Sequence, residues 1–484
     1  MKKSLMWRGA GPRLQILVGA LMLICPTIAT AQTEPDGLVT HVEVPLDNAL
    51  PETLTGPASF EPMPPSGPLS EMRRSLNAAG FDLGVLFANL FQYAPSYGLT
   101  PGKTANFGAV SFTATADLEA LISVPHTRLK IIETVNFPTH NADTFLFTLS
   151  NAFNPSPVVD SRTDLTRFTI QTDLLNDRLH IEGGRMGLAI DFMKRGTCGG
   201  LGCFNSTQAV SVGLPGVALA SWGGRVAYDL SSTLTTQFGI IDDNETNWQN
   251  GSGWDWGRGN SQGYIAIWNL SRSSDFMRDR LPLTYEVGAF RRSASYVDPV
   301  SNTDGSSHVL NPGGTPRTYS GGTNGVYGQA RKVIWRTPAS DEPIFPENIA
   351  IYGGAFSVFG EGQAYPFEGF AGIDWGGFWS KNPVANVGVS VHLLRLSEER
   401  AQYEREIRLV TSGLDQRQPK NTYALEAHGR LGLGRWAIAE LAADYYINPN
   451  NSVIPGPRQS DGWMLTSALI VDIGSALGLA PASR

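Results

Sequence analysis

Arg128, Lys130, Arg167, Glu182, Arg185, Asp191, Trp222, Arg225, Asp229 and Glu286 have the types and spacing to handle a polar solute. Guanidinium forks donate to hydroxyls and carboxylates accept from them, so such a wall can replace the hydration of a neutral, polyhydroxylated molecule and still release it. The two signs nearly balance: Arg128, Lys130, Arg167 and Arg225 stand against Asp117, Asp173, Glu182, Asp229 and Glu286, which implies no strong single-ion filter. Indole faces add apolar contact to the C–H side of a ring, which makes Trp222, Trp248, Trp254 and Trp256 candidates for an entry slide. For any one charged residue, pairing along a wall is the more ordinary role, and Trp commonly sits in membrane-interface girdles, so the expectation rests on the cluster. Catalysis is not indicated. The sequence holds no G-x-S-x-G elbow, H-E-x-x-H, Walker loop or dinucleotide fingerprint, and its 7 His are scattered. A hydrolase whose Ser, His and acid meet only in the fold is the residual enzymatic reading.

The elements that must position these groups have two-residue periodicity. Val110, Phe112, Ala114, Ala116 and Leu118 alternate with Ser111, Thr113, Thr115 and Asp117, and Phe81, Leu83, Val85 and Phe87 share one phase. Leu129, Ile131, Val135 and Phe137 oppose Arg128, Lys130, Thr134 and Asn136; Phe168, Ile170 and Leu174 oppose Arg167, Gln171 and Asp173. His180 and Glu182, Arg225 and Asp229, and Glu286 fall on the polar phase of their segments in the same way. Glu133 is the exception: it shares the apolar phase, which predicts a bulge there or a place near a rim. Arg185 follows Gly183-Gly184, where a bulge would turn it inward, and Asp191 with Arg195 opens a Gly-rich stretch to Trp222 that is the candidate constriction.

Further candidate strands are 233–241, 263–270, 326–335, 348–359, 367–378, 387–396, 421–431, 437–446 and 463–473. A strand-plus-connection repeat of roughly 25 residues predicts about 16 strands. The fold class expected is all-β: a transmembrane antiparallel up-and-down β-barrel with a short N-terminal helix. The polar stretches 242–260 and 298–323 read as extracellular loops, and the charged run Glu398 to Arg408 as a solvated loop or strand end.

Lys2, Lys3, Arg8 and Arg13 precede the apolar run Leu14 to Ile24, and Ala29-Thr30-Ala31 completes a secretory signal at 1–31. Residues 32–80 read as a Pro-rich periplasmic arm and a short helix with Ser70 as N-cap and Gly80 as stop, and 81–484 as the barrel with a C-terminal tail. Loss of the four leader cations takes the net charge from −7 to −11, and no basic run suggests nucleic acid. Cys198 and Cys203 are spaced for a small loop disulfide in an oxidising compartment. Two thiols make half a metal site, and the acidic loops around Asp242 and Asp298 lack a calcium-loop pattern, so neither metal nor cofactor is assigned.

The segments Leu76-Asn77-Ala78-Ala79-Gly80-Phe81, Arg178 to Arg185 with Asp191-Phe192, Gly239 to Asn244, Gly372-Ile373-Asp374-Trp375-Gly376-Gly377-Phe378, Asn386 to Val391, Tyr423-Ala424-Leu425-Glu426 and Tyr445-Tyr446-Ile447-Asn448-Pro449 occur in an order that resembles the carbohydrate-selective porins of the OprB family. The resemblance implies a 16-stranded barrel in a Gram-negative outer membrane and passive uptake of monosaccharides such as glucose. Sugars, membrane lipid and lipopolysaccharide are then the expected partners; monomer and homotrimer both stay open. A general or differently selective porin is the alternative, and a secreted β-rich carbohydrate-binding protein the reading from another class. One departure stands out. Such barrels end on an aromatic residue in the last strand, whereas this chain runs on from Ile473 to Arg484.

Overall fold

The computed structural model describes residues 67–140, 162–187, 191–192, 220–244, 254, 261–276, 278–338, 346–360, 363–434, 436–450 and 457–479. The leader, most of the Pro-rich arm, Cys198 and Cys203, Arg195, Trp248 and Trp256 lie outside these residues.

Alternation closes the chain into a barrel of sixteen antiparallel strands, the number expected. These are β1 (Phe81–Ala94), β2 (Lys103–Asp117), β3 (Thr127–His140), β4 (Arg162–Leu174), β5 (Leu179–Met186), β6 (Ser221–Ser231), β7 (Leu234–Asp243), β8 (Gly263–Arg272) and β9 (Leu283–Arg292). After a small separate hairpin of β10 (Tyr296–Asn302) and β11 (Pro316–Tyr319), the barrel resumes with β12 (Thr323–Arg336), β13 (Asn348–Phe359), β14 (Phe367–Gly376), β15 (Asn386–Arg395), β16 (Asn421–Gly432), β17 (Ala437–Ile447) and β18 (Gly462–Asp472). β18 pairs with β1 from Leu86–Asp472 to Tyr93–Leu465, so every strand has two neighbours and no sheet edge is left open.

The outward phase is apolar. Phe238 and Ile240, then Val387, Val389 and Val391, then Trp463 and Leu465 are exposed on successive outward positions. Trp335, Trp375, Trp379 and Trp436 gather at the periplasmic strand ends, and Tyr264, Phe359 and Trp463 at the opposite ends, the two interface girdles of a membrane barrel. Among the described residues no helix is long and apolar enough to cross a membrane.

The inward phase is polar in its lower part and apolar near the extracellular mouth. Met186, Ile241, Ile265, Ile267, Phe290, Tyr327 and Phe356 pack there around Phe192, and Leu394, Ala424, Tyr446 and Met464 pack around Tyr97 and Tyr365 from two extracellular loops. Tyr97 stacks on Tyr446 at 4.4 Å.

Several local expectations change. Helix α1 (Ser70–Ala78) forms, but Leu69 holds the N-cap position with no side-chain cap, so Ser70 is its first residue rather than its cap. Gly80 ends it at φ +86°, a conformation that favours glycine. Leu118 leaves the strand: Asp117 accepts from the N–H of Glu119 at 2.9 Å and starts the short helix α2 (Leu118–Ile122) in the periplasmic turn. The run read as a solvated loop is helix α3 (Glu398–Ser412), because Ser397 caps it, Glu398 and Glu399 fill its first turn and Gly413 closes it at φ +70°. The stretch beyond β18 begins with α4 (Ile473–Leu477), capped by Asp472 through Ser475 N–H at 2.8 Å. The Leu69 N–H donates to Leu477 O at 2.9 Å, so the residues flanking the barrel meet at its periplasmic base.

Candidate functional site

Four predicted residues meet on the inward face of β4, β5 and β6. Cross-strand register places Gln171 beside Glu182 and Glu182 beside Arg225, while Arg167 lies four residues further along β4 on the same face. Arg167 Nη2 donates to Glu182 Oε1 at 2.6 Å and to Asp191 Oδ2 at 3.2 Å; Arg225 Nη2 donates to Glu182 Oε2 at 2.7 Å, and Arg225 Nη1 lies 3.6 Å from Asp191 Oδ1. Thr169 adds a hydroxyl to Glu182 Oε1 at 2.7 Å, and Gln237 Oε1 accepts from Arg225 at 3.2 Å. Two cations and two anions thus neutralise one another. The Arg167 and Glu182 side chains keep only 6% and 2% of their exposure.

Asp191 does not belong to a strand. It follows β5 in the chain, and its contacts with Arg167 and Arg225 hold Asp191 against the inner wall, where the adjoining Phe192 is fully buried in one cluster with Ile241, Ile265 and Phe290; residues 193–219 of the candidate constriction lie outside the described residues. A salt bridge on one side and an apolar socket on the other fix Asp191 and Phe192 inside the barrel.

A second polar group lies nearer the periplasmic ends. Asp173 accepts from Arg128, from Gln171 Nε2 at 2.8 Å and bonds His180 Nδ1 at 2.7 Å; His180 Nε2 is 3.3 Å from Asp229, which also accepts from Thr235 at 2.6 Å. The Arg128 side chain is 52% exposed on this inward face, more open than the cluster above it. Lys130 stands between Thr115 and Thr169 in the adjoining ladder.

The remaining predicted residues go elsewhere. The β4–β5 and β5–β6 registers run through Gly183 and Gly184 without a shift, so no bulge turns Arg185 inward. It stays in a row with Phe168 and Trp222, on the phase opposite Glu182, and Trp222 is likewise off the lumen phase. The bulge is on β4: Ile132 pairs with Arg167 and Glu133 with Leu165, which leaves Thr166 as the extra residue opposite Glu133. Arg185 Nε donates to Leu165 O at 2.9 Å beside this bulge. Trp254 donates its indole N–H to Glu133 Oε2 at 2.9 Å and so ties an extracellular loop to β3. Glu286 is buried on another sector, accepting from Asn269 at 2.5 Å, Tyr327 Oη at 2.6 Å and Gln329 at 3.1 Å.

Sequence reasoning missed the opposite wall. In the ring of sixteen strands β15 lies eight places from β5 in either direction. There His428 bonds Asp374 Oδ1 at 2.9 Å and Glu426 Oε1 at 2.7 Å, Arg331 pairs with Asp374, and Ser390 lies 3.0 Å from His392 Nε2. A Cβ on Gly388 would stand 2.2 Å from Asp374 Oδ1 and 2.4 Å from His428 Nε2, so glycine lets both side chains lie flat along the wall. The signal was present: Glu426 and His428 alternate with Leu425 and Ala427.

Among the described residues no group of three or more His, Cys, Asp or Glu is arranged to hold a metal ion.

Comparison with known proteins follows the same line. The family described as carbohydrate-selective porin, OprB family, matches residues 102–462 of this 484-residue chain. The high-pH structure of Pseudomonas putida OprB is similar at 15% identity and TM-score 0.69, covering 83% of this chain and 96% of that one. The low-pH structure of Pseudomonas putida OprB is similar at 12% identity and TM-score 0.50, covering 84% and 97%. No curated protein is matched by the sequence.

Proposed function

This chain belongs to the carbohydrate-selective porin family OprB, and from that membership we propose that it is a passive outer-membrane channel for monosaccharides such as glucose, narrowed where Asp191 and Phe192 stand inside the barrel. One observation carries this reading: a loop residue, Asp191, is bonded to two lumen arginines that already share Glu182. The charges there cancel locally, so an uncharged solute meets little net field, while hydroxyls can exchange with fixed donors and acceptors. Arg128, His180 and Asp229 are the more accessible members, and we assign them the first contact with a passing sugar from the periplasmic side. Arg167, Glu182 and Arg225 then hold the shape of the opening. Lys130 completes the cationic side of the path. Trp222 shares the phase of Val226, which is exposed on the outer surface, and Arg185, buried where it donates to Leu165 O, is given no contact with the sugar in this reading.

The test is liposome swelling with the purified protein. Glucose is expected to enter faster than an amino acid of similar size, with rates falling through di- and trisaccharides. Equal rates for glucose and the amino acid would leave a general porin. Replacing Arg128, Lys130 and Arg167 together by Ala is expected to weaken sugar block of the ion current while the channel stays open.

A further inference from the structure

We propose that the groove formed by Arg417, Lys420, Asn421, Tyr423 and Asn448 at the extracellular rim binds the phosphate of a phosphorylated glycolipid, lipopolysaccharide, in the outer leaflet. The groove has a volume of about 360 Å³, within the size range of small-molecule sites. It stands on the outside of the barrel. Tyr423 and Leu425 share the outward phase of β16, and Leu425 is exposed.

Its height follows from the aromatic residues. Tyr423 pairs with Ile447, Leu425 with Tyr445 and Tyr445 with Trp463, close to the extracellular ends of β16, β17 and β18. Tyr445 and Trp463 rings lie 5.1 Å apart, and Trp463 is exposed to the membrane side. Aromatic rings of this kind sit at headgroup level. Arg417 and Lys420 come just before β16 in the chain and so stand above that level, where lipid phosphates are.

Charge fits the same ligand. Arg417 Nη2 donates to Glu398 Oε2 at 2.6 Å and Lys420 bonds the other oxygen, so two cations share one carboxylate and one positive charge is left over. The Arg417 side chain is 65% exposed, with its remaining N–H groups turned to no acceptor among the described residues. A neutral polar residue is in place as well: Asn448 lines the groove and fixes its backbone through Asp461 and Thr422. The floor is rigid, because Gln418 donates to Pro449 O at 2.9 Å and accepts from Arg408 at 3.1 Å. A phosphate ester offers several acceptor oxygens to this set, and its acyl chains would run down over Tyr423 and Leu425.

This inference rests on the outer-membrane location and not on the choice of solute. The full-length protein in detergent is to be titrated with bisphosphorylated lipid A, with the same lipid after phosphate removal, and with inorganic phosphate, bound lipid being counted by native mass spectrometry. The phosphorylated lipid is expected to bind at least tenfold more tightly than the dephosphorylated one. R417Q/K420Q is expected to remove that difference, R417K/K420R to keep most of it, and R405Q, on helix α3 with Glu398 but paired with Asp415, to leave it unchanged. Equal binding of the two lipids, or full retention in R417Q/K420Q, overturns the proposal; displacement of lipid by millimolar inorganic phosphate overturns the lipid source and leaves a free-anion site. Glucose flux, read on the same samples, is expected to be unaffected, so its loss would bear on the sugar channel and not on this groove.

Discussion

Arg167 and Glu182 face each other across β4 and β5 at 2.6 Å, both nearly removed from solvent, with Asp191 of the following loop as the third member of the contact. The pair therefore couples wall to loop. Removing Arg167 leaves Glu182 and Asp191 to share the single cation Arg225, an excess negative charge in a dry place, which costs up to about 3–5 kcal/mol, the range for a broken buried pair.

R167A is accordingly expected to lower the temperature of heat-modifiable migration and to release Asp191 and Phe192 from the inner wall. The sugar preference in swelling assays should fall severalfold while total conductance rises. A variant with unchanged conductance and preference would mean that Asp191 does not set the opening.

Arg185 makes a contrasting prediction. Its bond to Leu165 O supports the β4 bulge, so R185A should cost about 1–3 kcal/mol, the range for leaving a buried acceptor unpaired. Glucose flux per folded channel should stay at the wild-type value. A change in selectivity without loss of stability would give Arg185 a place in the sugar path.

Glu368 is a buried carboxyl, 3% exposed, with neither oxygen hydrogen-bonded among the described residues, and its cross-strand neighbours are Phe356 and Leu394. Burial without a partner is unfavourable. E368L is expected to stabilise the barrel by about 1–3 kcal/mol, seen as a higher temperature for the heat-modifiable shift. A lower temperature would reveal a functional partner for the carboxylate.

The extracellular hairpin carries a pH dependence. Burial alone would raise the Asp298 carboxyl, but the N–H groups of Val300 and Ser301, at 2.8 and 3.0 Å, and Tyr319 Oη at 2.9 Å outweigh it and hold the group below its usual value. A depressed carboxyl stabilises the fold above the unfolded value of about 4 and loses that contribution as pH falls through the folded one. Amide exchange across β10 and β11 is therefore expected to be flat above about pH 4 and to speed up below it. D298N should flatten that profile; an unchanged slope would assign it to another group.

Much of this was legible in the sequence because a membrane strand must write its two environments on alternate residues. Gln171, Glu182 and Arg225 could be placed on one face from periodicity, and β13 spans the expected 348–359. The bulge expected at Gly183-Gly184 lies on the neighbouring strand, because glycines suggest a bulge without saying which of two paired strands takes the extra residue; here it is Thr166 on β4. Helix α3 was missed because its charged run lacks a broad apolar face, although Ser397 and Gly413 bracket it as caps. The Asp374–His428–Glu426 wall was missed because its residues are far apart in the chain and only ring closure opposes them to β5.

Closure has one more consequence. The strands that seal the ring are the first and the last, and Leu69 meets Leu477 just below them. Residues some four hundred positions apart must find each other before the last ladder forms, so the entropy of the whole intervening chain is spent on a single seam. Because the flanking residues already touch, a circularly permuted chain, linked from Leu477 to Leu69 and cut open in an extracellular loop, would keep every strand neighbour while moving that seam to another side of the ring.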